Sequence, residues 1–184
     1  MAELREYFSR PAHIVPDYIT FSGSGEPTLN SEIGILIKAI KAQFPTQQIA
    51  LITNSTTMCD ESIHADLSHC DLIMPSLDAV SDKVFQRICR PHHQIKISDI
   101  IESLIKFRKS FYNQFWIEIF FIEGINDTEK ELTLFKETLV KINPDKIHLN
   151  SLDRAAAENW VSKLSNKRLQ EIQKYLQPLQ SEIV

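Results

Sequence analysis

Short β-rich runs alternate with amphipathic stretches of helical period along this chain, and that alternation restricts the fold more than any other feature. The runs span residues 18–23, 48–54, 71–78, 115–122 and 146–150. Between them, Ile33, Leu36, Ile37 and Ile40 recur at helical spacing after Asn30 or Ser31, and Pro45 closes that stretch. Ile100, Ile101, Leu104, Ile105 and Phe107 repeat the pattern after Ser98 or Asp99. Leu132, Phe135, Leu139 and Ile142 do so again, opening at Asn126-Asp127-Thr128 and ending before Pro144. A last helix is expected over residues 166–176, with Leu169, Ile172 and Leu176 on one face. Units of this kind pair their strands in parallel through right-handed crossovers. Residues 49–52 and 115–122 are apolar on both parities, as expected of strands covered by helices. The expected class is α/β, with five parallel strands.

Composition supports a globular chain. It has 184 residues, 43% hydrophobic and 24% charged, with a formal net charge of -4. One domain over residues 1–184 is expected, with residues 151–184 as its helical C-terminal end. No apolar run approaches the roughly 18–20 residues that a membrane-spanning helix needs. The first ten residues are mixed in charge and do not resemble a secretory signal. Cys59, Cys70 and Cys89 are too few and too scattered for a disulfide framework, which points to a reducing, cytoplasmic location. The mild acidity counts against a general polyanion binder. Residues 153–163 carry Ala155-Ala156-Ala157 and Trp160 with little periodicity, so a loop and a helix start both fit. Residues 2–7 read as the end of a helix, so the first strand follows a helix rather than opening the fold.

Side-chain parity along the strands gathers polar residues toward their C-terminal ends. Thr20 shares a face with Ser22, Ser76 with Asp78, and His148 with Asn150, while Asn54 ends the second run. Glu118 shares its face with Trp116 and Phe120. The C-terminal ends of parallel strands are where ligands bind in α/β barrels and open sheets. Any one serine or asparagine here could equally satisfy loop backbone. A carboxylate within an aromatic strand, by contrast, must be paired, protonated or facing water. His148 taken alone fits a satisfied, partly buried histidine. The segment Ser22-Gly23-Ser24-Gly25-Glu26-Pro27-Thr28-Leu29 places two glycines and an acid directly after a strand. Glycines let a ligand approach the backbone, and a neighbouring carboxylate can receive an ammonium group. No Gly-Lys-Ser/Thr follows, and the spacing differs from the dinucleotide fingerprint.

Taken in order, SGSGEPTL, LITNS, PSLDA, RICRP, FIEGIND and KIHLN closely resemble the radical S-adenosylmethionine superfamily. The resemblance covers nearly all of residues 18–150. It implies an incomplete parallel (β/α) barrel, similar to a TIM barrel, that binds S-adenosylmethionine and a [4Fe-4S] cluster. By resemblance, Gly25 and Glu26 receive the methionine ammonium, and Ser76 and Asp78 lie near the ribose or carboxylate. Arg90 is a partner for the carboxylate, and Asn54, Ile125 and Asn150 line the nucleoside pocket. Glu118 and His148 remain for the substrate.

The family ligates its cluster with three cysteines spaced CxxxCxxC after its first strand, and no such spacing occurs here. The expectation is therefore a chain lacking that first strand, either cut short or truly cluster-free, and inactive alone. Three functional readings stay open. The first is the S-adenosylmethionine-binding part of a radical enzyme. The second is a cluster-free remnant binding a nucleotide or partner protein. The third is an unrelated β/α lyase using Glu118 and His148 as acid and base. Without the first strand, residues 18–23 form an open sheet edge. Self-association through that edge and coverage by residues 1–15 are both expected outcomes.

Overall fold

The computed structural model describes residues 1–10, 14–154, 156 and 158–184. Helix α1 (Ala2–Ser9) precedes strand β1 (Tyr18–Phe21). Then follow α2 (Ile33–Gln43), β2 (Gln48–Thr53), α3 (His64–Leu67), β3 (Leu72–Pro75), α4 (Asp82–Ile88) and α5 (Ile97–Ser110). The chain continues through β4 (Gln114–Phe121), α6 (Glu129–Ile142), β5 (Lys146–Ser151), α7 (Asn166–Tyr175) and β6 (Ser181–Ile183). The strands lie in chain order β1-β2-β3-β4-β5-β6, and every neighbouring pair is parallel. Sequential parallel strands with right-handed crossovers keep their helices on one face, so the sheet curves as an open partial barrel.

β4 records that asymmetry. Phe115, Ile117, Ile119 and Phe121 are fully buried against the helices, whereas Trp116, Glu118 and Phe120 are half-buried on the concave face. The expectation that both parities of this strand are covered is thus corrected. One face packs in the core with Ile37, Leu104, Phe135 and Ile172, and the other borders open space. Each such fully buried side chain contributes about 1.5–3 kcal/mol.

The sequence reading expected five strands, and the sheet has six. β6 pairs Ser181 with Ile147, Glu182 with His148 and Ile183 with Leu149. Residues 151–184 are accordingly not only helical: they close with a strand. Residues 153–163 are largely irregular, with an antiparallel bridge between Lys163 and Ile122, and Ala155 and Ala157 lie outside the described residues. α5 begins at Ile97 with an extended Lys96 before it, one residue earlier than Ser98. α6 opens as expected, with Thr128 Oγ1 accepting from the Glu131 amide, and ends at the left-handed Asn143. α1 packs at the end of α2 through Phe8 on Phe44, ring centroids 4.7 Å apart, and Arg5 Nε donates to Gln43 Oε1 at 3.0 Å. Among the described residues β1 is bonded on one side only, by β2, so it is an edge strand as the sequence led us to expect.

Two aspartates tie the opposite rim. Asp71 Oδ2 accepts from Lys41 Nζ at 2.5 Å and from the Ile49 amide at 2.6 Å. Asp145 accepts from Arg108 Nη2 at 2.7 Å and from the Phe115 amide at 2.8 Å. Both fix strand starts, which sets where the C-terminal ends emerge.

Candidate functional site at the C-terminal rim

After β1 the chain turns through Ser22, Gly23, Ser24 and Gly25 to Glu26, whose carboxylate organises the rim. Glu26 Oε1 accepts from the Thr28 amide (3.1 Å), Thr28 Oγ1 (2.5 Å) and Thr53 Oγ1 (2.7 Å). Oε2 accepts from the Asn54 amide at 2.7 Å. Thr28 Oγ1 also contacts Thr57 Oγ1. Four donors on two oxygens lock the glycine loop to the end of β2. The carbonyls of Gly23, Ser24 and Gly25 accept no turn or side-chain hydrogen bond among the described residues. A Cβ added at Gly25 would meet nothing within 4 Å, so the loop borders open space there.

The ends of β2 and β3 are joined by Ser55, buried and left-handed at φ 70°, whose Oγ donates to the Ser76 carbonyl at 2.9 Å. Beyond Ser76, Asp78 Oδ1 accepts from the Phe120 amide of β4 at 2.8 Å. Buried Asn126 donates to the carbonyls of Asp78 (2.9 Å) and Phe120 (2.8 Å), and its Oδ1 accepts from the Ile122 amide. Burial pushes the Asp78 carboxyl up to about 6; the Phe120 amide pulls against that and the Glu118 charge adds to it.

Two cavities meet at this rim. One, of about 270 Å³, is lined by Ser22–Gly25, Glu26, Thr53, Asn54 and Ser76. The other, of about 420 Å³, is lined by Asn54, Ser76 and Asp78 on one side and by Phe85, Ile88, Pro91 and Ile95 on the other. Asn54 and Ser76 belong to both, so the space runs from the glycine loop and Glu26 to the apolar side chains beneath α4 and α5.

The structure therefore brings Gly25, Glu26, Asn54, Ser76 and Asp78 together. Glu118 joins them from the concave face: Ser76 Oγ donates to its Oε2 at 3.5 Å and Asn150 Nδ2 to its Oε1 at 3.4 Å. Other expected residues lie apart. Arg90, left-handed at φ 47°, pairs with Glu158 at 2.8 Å and sits over the Trp160 ring. Ile125 is buried in the core. The His148 ring lies 4.9 Å from that of Trp116 and tilted 45° to it, and its Nε2 lies 2.9 Å from Glu182 Oε1 without hydrogen-bond alignment. It is the in-register neighbour of Glu118.

The three cysteines do not converge. Cys70 is buried before β3 at the far rim, with its thiol pushed up to about 12 by burial. Cys59 follows β2, and Cys89 caps α4, both exposed. Among the described residues no group of three histidine, cysteine or acidic side chains could hold a metal ion. The residues of this chain do not fit a [4Fe-4S] cluster.

An open, all-parallel α/β sheet with polar residues gathered at the strand C-termini is a partial barrel of the ligand-binding kind. The chain belongs to the radical SAM superfamily, whose family model matches residues 3–135. It is 34% identical over 175 residues to a Brachyspira hyodysenteriae protein named GTPase Obg, covering 95% of this chain and 25% of that protein. It spans under half the length of the other curated relatives it matches. Its fold matches a domain of pyruvate-formate lyase-activating enzyme from Bacteroides vulgatus with TM-score 0.70 at 22% identity, covering 90% of this chain and 98% of that one. SuiB of Streptococcus suis, solved with S-adenosylmethionine bound, matches with TM-score 0.69 at 14% identity over 91% of this chain and 39% of its own.

Sequence reasoning missed Thr28, Thr53 and Asn126. Each is a small polar residue next to a strand end, and only the turn geometry shows which backbone or carboxylate it serves. It also missed the apolar wall of Phe85, Ile88, Pro91 and Ile95, which reads in sequence as helix packing.

Proposed function

We propose that this chain provides the S-adenosylmethionine-binding face of a radical SAM protein. The observation that carries the proposal is the pair of adjoining cavities sharing Asn54 and Ser76, one bounded by the glycine loop and Glu26, the other by Phe85, Ile88 and Ile95. Those two halves suit the two ends of the ligand. The free carbonyls of Gly23–Gly25 receive the methionine ammonium, held in place by the Glu26 bonds. Ser76 stands where a ribose hydroxyl would meet it, and the wall of Phe85, Ile88 and Ile95 takes the adenine face. Glu26 acts here by positioning the loop, because both its oxygens are already occupied. When bound, S-adenosylmethionine supplies a sulfonium that an electron from the family's cluster can cleave. The three cysteines of this chain do not fit that cluster. GTP hydrolysis, named for the Brachyspira relative, finds no Gly-Lys-Ser/Thr in this chain to carry it.

S-adenosylhomocysteine tests the proposal without a cluster. Calorimetry should detect its binding, and Gly25→Val should weaken it tenfold or more, about 1.4 kcal/mol. The melting temperature should move little, since a Cβ added at Gly25 meets nothing within 4 Å. Absence of binding to the unaltered chain, or equal binding by Gly25→Val, would refute the site.

A further inference from the structure

One rung of the sheet is polar across four strands. Ser76 bridges to Glu118, Glu118 is in register with His148, and His148 with Glu182. The rung lies on the concave face and begins at Ser76, which lines both rim cavities. Its charges are not equally committed. Glu182 is engaged by Lys146 Nζ at 3.3 Å and lies 2.9 Å from His148 Nε2. Among the described residues the Glu118 carboxylate has only the two long contacts from Ser76 and Asn150, at 3.5 and 3.4 Å. Among the described residues no lysine or arginine forms an ion pair with it. The carboxylates of Glu26, Asp71, Asp78 and Asp145, by contrast, each accept at least one bond of 2.8 Å or less.

The neighbours of Glu118 on its own face are aromatic. Trp116 and Phe120 flank it at alternate positions and are half-buried like it. Phe120 lines a further cavity of about 400 Å³, together with Trp160 and Leu152. Trp116 already receives an ammonium group, Lys146 Nζ lying 4.3 Å from its ring centroid. A weakly bonded carboxylate with aromatic residues on either side of it along the strand favours a ligand that is both cationic and a hydrogen-bond donor.

We infer that Glu118, flanked by Trp116 and Phe120, binds a protonated nitrogen of the substrate, an ammonium or amidinium group, beside the cofactor cavities. The substrate class is thus an organic cation with N–H donors. This assignment rests on the proposal that the adjoining cavities hold S-adenosylmethionine.

Benzamidine and its neutral counterpart benzyl alcohol, titrated into the full chain by calorimetry or saturation-transfer NMR, test it. Benzamidine should bind more tightly than benzyl alcohol. Glu118→Gln should weaken benzamidine about tenfold, leave benzyl alcohol unchanged, and leave S-adenosylhomocysteine binding intact. Phe120→Leu, which keeps the carboxylate and removes one ring, should weaken benzamidine about threefold. Gly25→Val should show the reverse pattern, losing S-adenosylhomocysteine and keeping benzamidine. Loss of S-adenosylhomocysteine binding alone therefore refutes the cofactor site and not the cation site. Equal binding of benzamidine and benzyl alcohol, or benzamidine binding untouched by both Glu118→Gln and Phe120→Leu, would overturn the inference.

Discussion

Replacing Glu26 with glutamine removes one acceptor and the charge while keeping the shape, and the geometry says what that costs. Glutamine offers one carbonyl oxygen and one NH₂. With the oxygen placed at the Oε1 position, it still accepts from Thr28 and Thr53, but its NH₂ faces the Asn54 amide, donor against donor. With the amide reversed, three donors face the NH₂, which is worse. The better orientation loses one charge-assisted bond, about 1.5–3 kcal/mol, and weakens three others by removing the charge. Because Glu26 is only half-buried, water recovers part of this, and the net cost should be about 2 kcal/mol. With a urea m-value of about 1–3 kcal/mol/M, the midpoint should fall by roughly 1 M. Glu118→Gln is the internal control. Its contacts are 3.4 and 3.5 Å long, so it should cost less than about 0.5 kcal/mol. Thr53→Val removes one of the same donors, and its effect should combine with that of Glu26→Gln in a less than additive way. If Glu26→Gln and Glu118→Gln shift the midpoint equally, the view that Glu26 is the structural carboxylate and Glu118 the free one is wrong.

Two further outcomes are expected. Asp78 titrates at about 6 in the folded chain against an ordinary 3.8, so between those values the folded form holds a proton that the unfolded form has released. Stability should therefore fall as pH rises from about 4 to 6 and stay lower above. Asp78→Asn keeps the acceptor for the Phe120 amide, so it should match the native chain near pH 4 and exceed it at pH 7.5 by on the order of 2 kcal/mol in urea titrations. Gly34→Ala would bring its new Cβ to 2.1 Å from Asp66 Cγ and 2.6 Å from Asp66 Cβ, so α2 and α3 must part, at about 1–3 kcal/mol. Thermal melts should show most of that loss recovered by adding Asp66→Gly.

What the sequence discloses depends on whether a feature is local or needs register. Strands β1–β5 are legible because each lies in a run of apolar or alternating residues bounded by turn or helix signals. β6 is not, because Ser181–Ile183 offers three residues and becomes a strand only by bonding to β5. The next helix is expected to open after Ser98 or Asp99, because both look like caps, and it starts two to three residues earlier, at Ile97. In the fold, Ser98 Oγ donates to Asp99 Oδ1 instead, and extended Lys96 opens the helix. At the rim, Gly25, Glu26, Asn54, Ser76 and Asp78 are visible as polar strand ends, and they do share one place. Arg90 and Ile125 resemble family positions, yet the loop after β5 draws Arg90 to Glu158 and Trp160, and packing draws Ile125 inward.

The separation of the carboxylates is the part no local pattern can show. In the sequence Glu26, Asp78 and Glu118 are three acids close to strand ends, and a glycine neighbour makes Glu26 the most suggestive of them. Register separates their surroundings. Parallel pairing brings the Asn54 amide and Thr53 hydroxyl onto Glu26 and the Phe120 amide onto Asp78, and each bond lowers the gain from accepting a ligand instead. A ligand taking either carboxylate would have to replace bonds of 2.5–2.8 Å that already hold the loops in place. Glu118 lies one register step inside, where its neighbours on the rung are a serine and a histidine and neither supplies a short bond. The same pairing that satisfies two acids thus leaves the third with its charge directed at the open concave face. That is the site where a cationic substrate has least to displace.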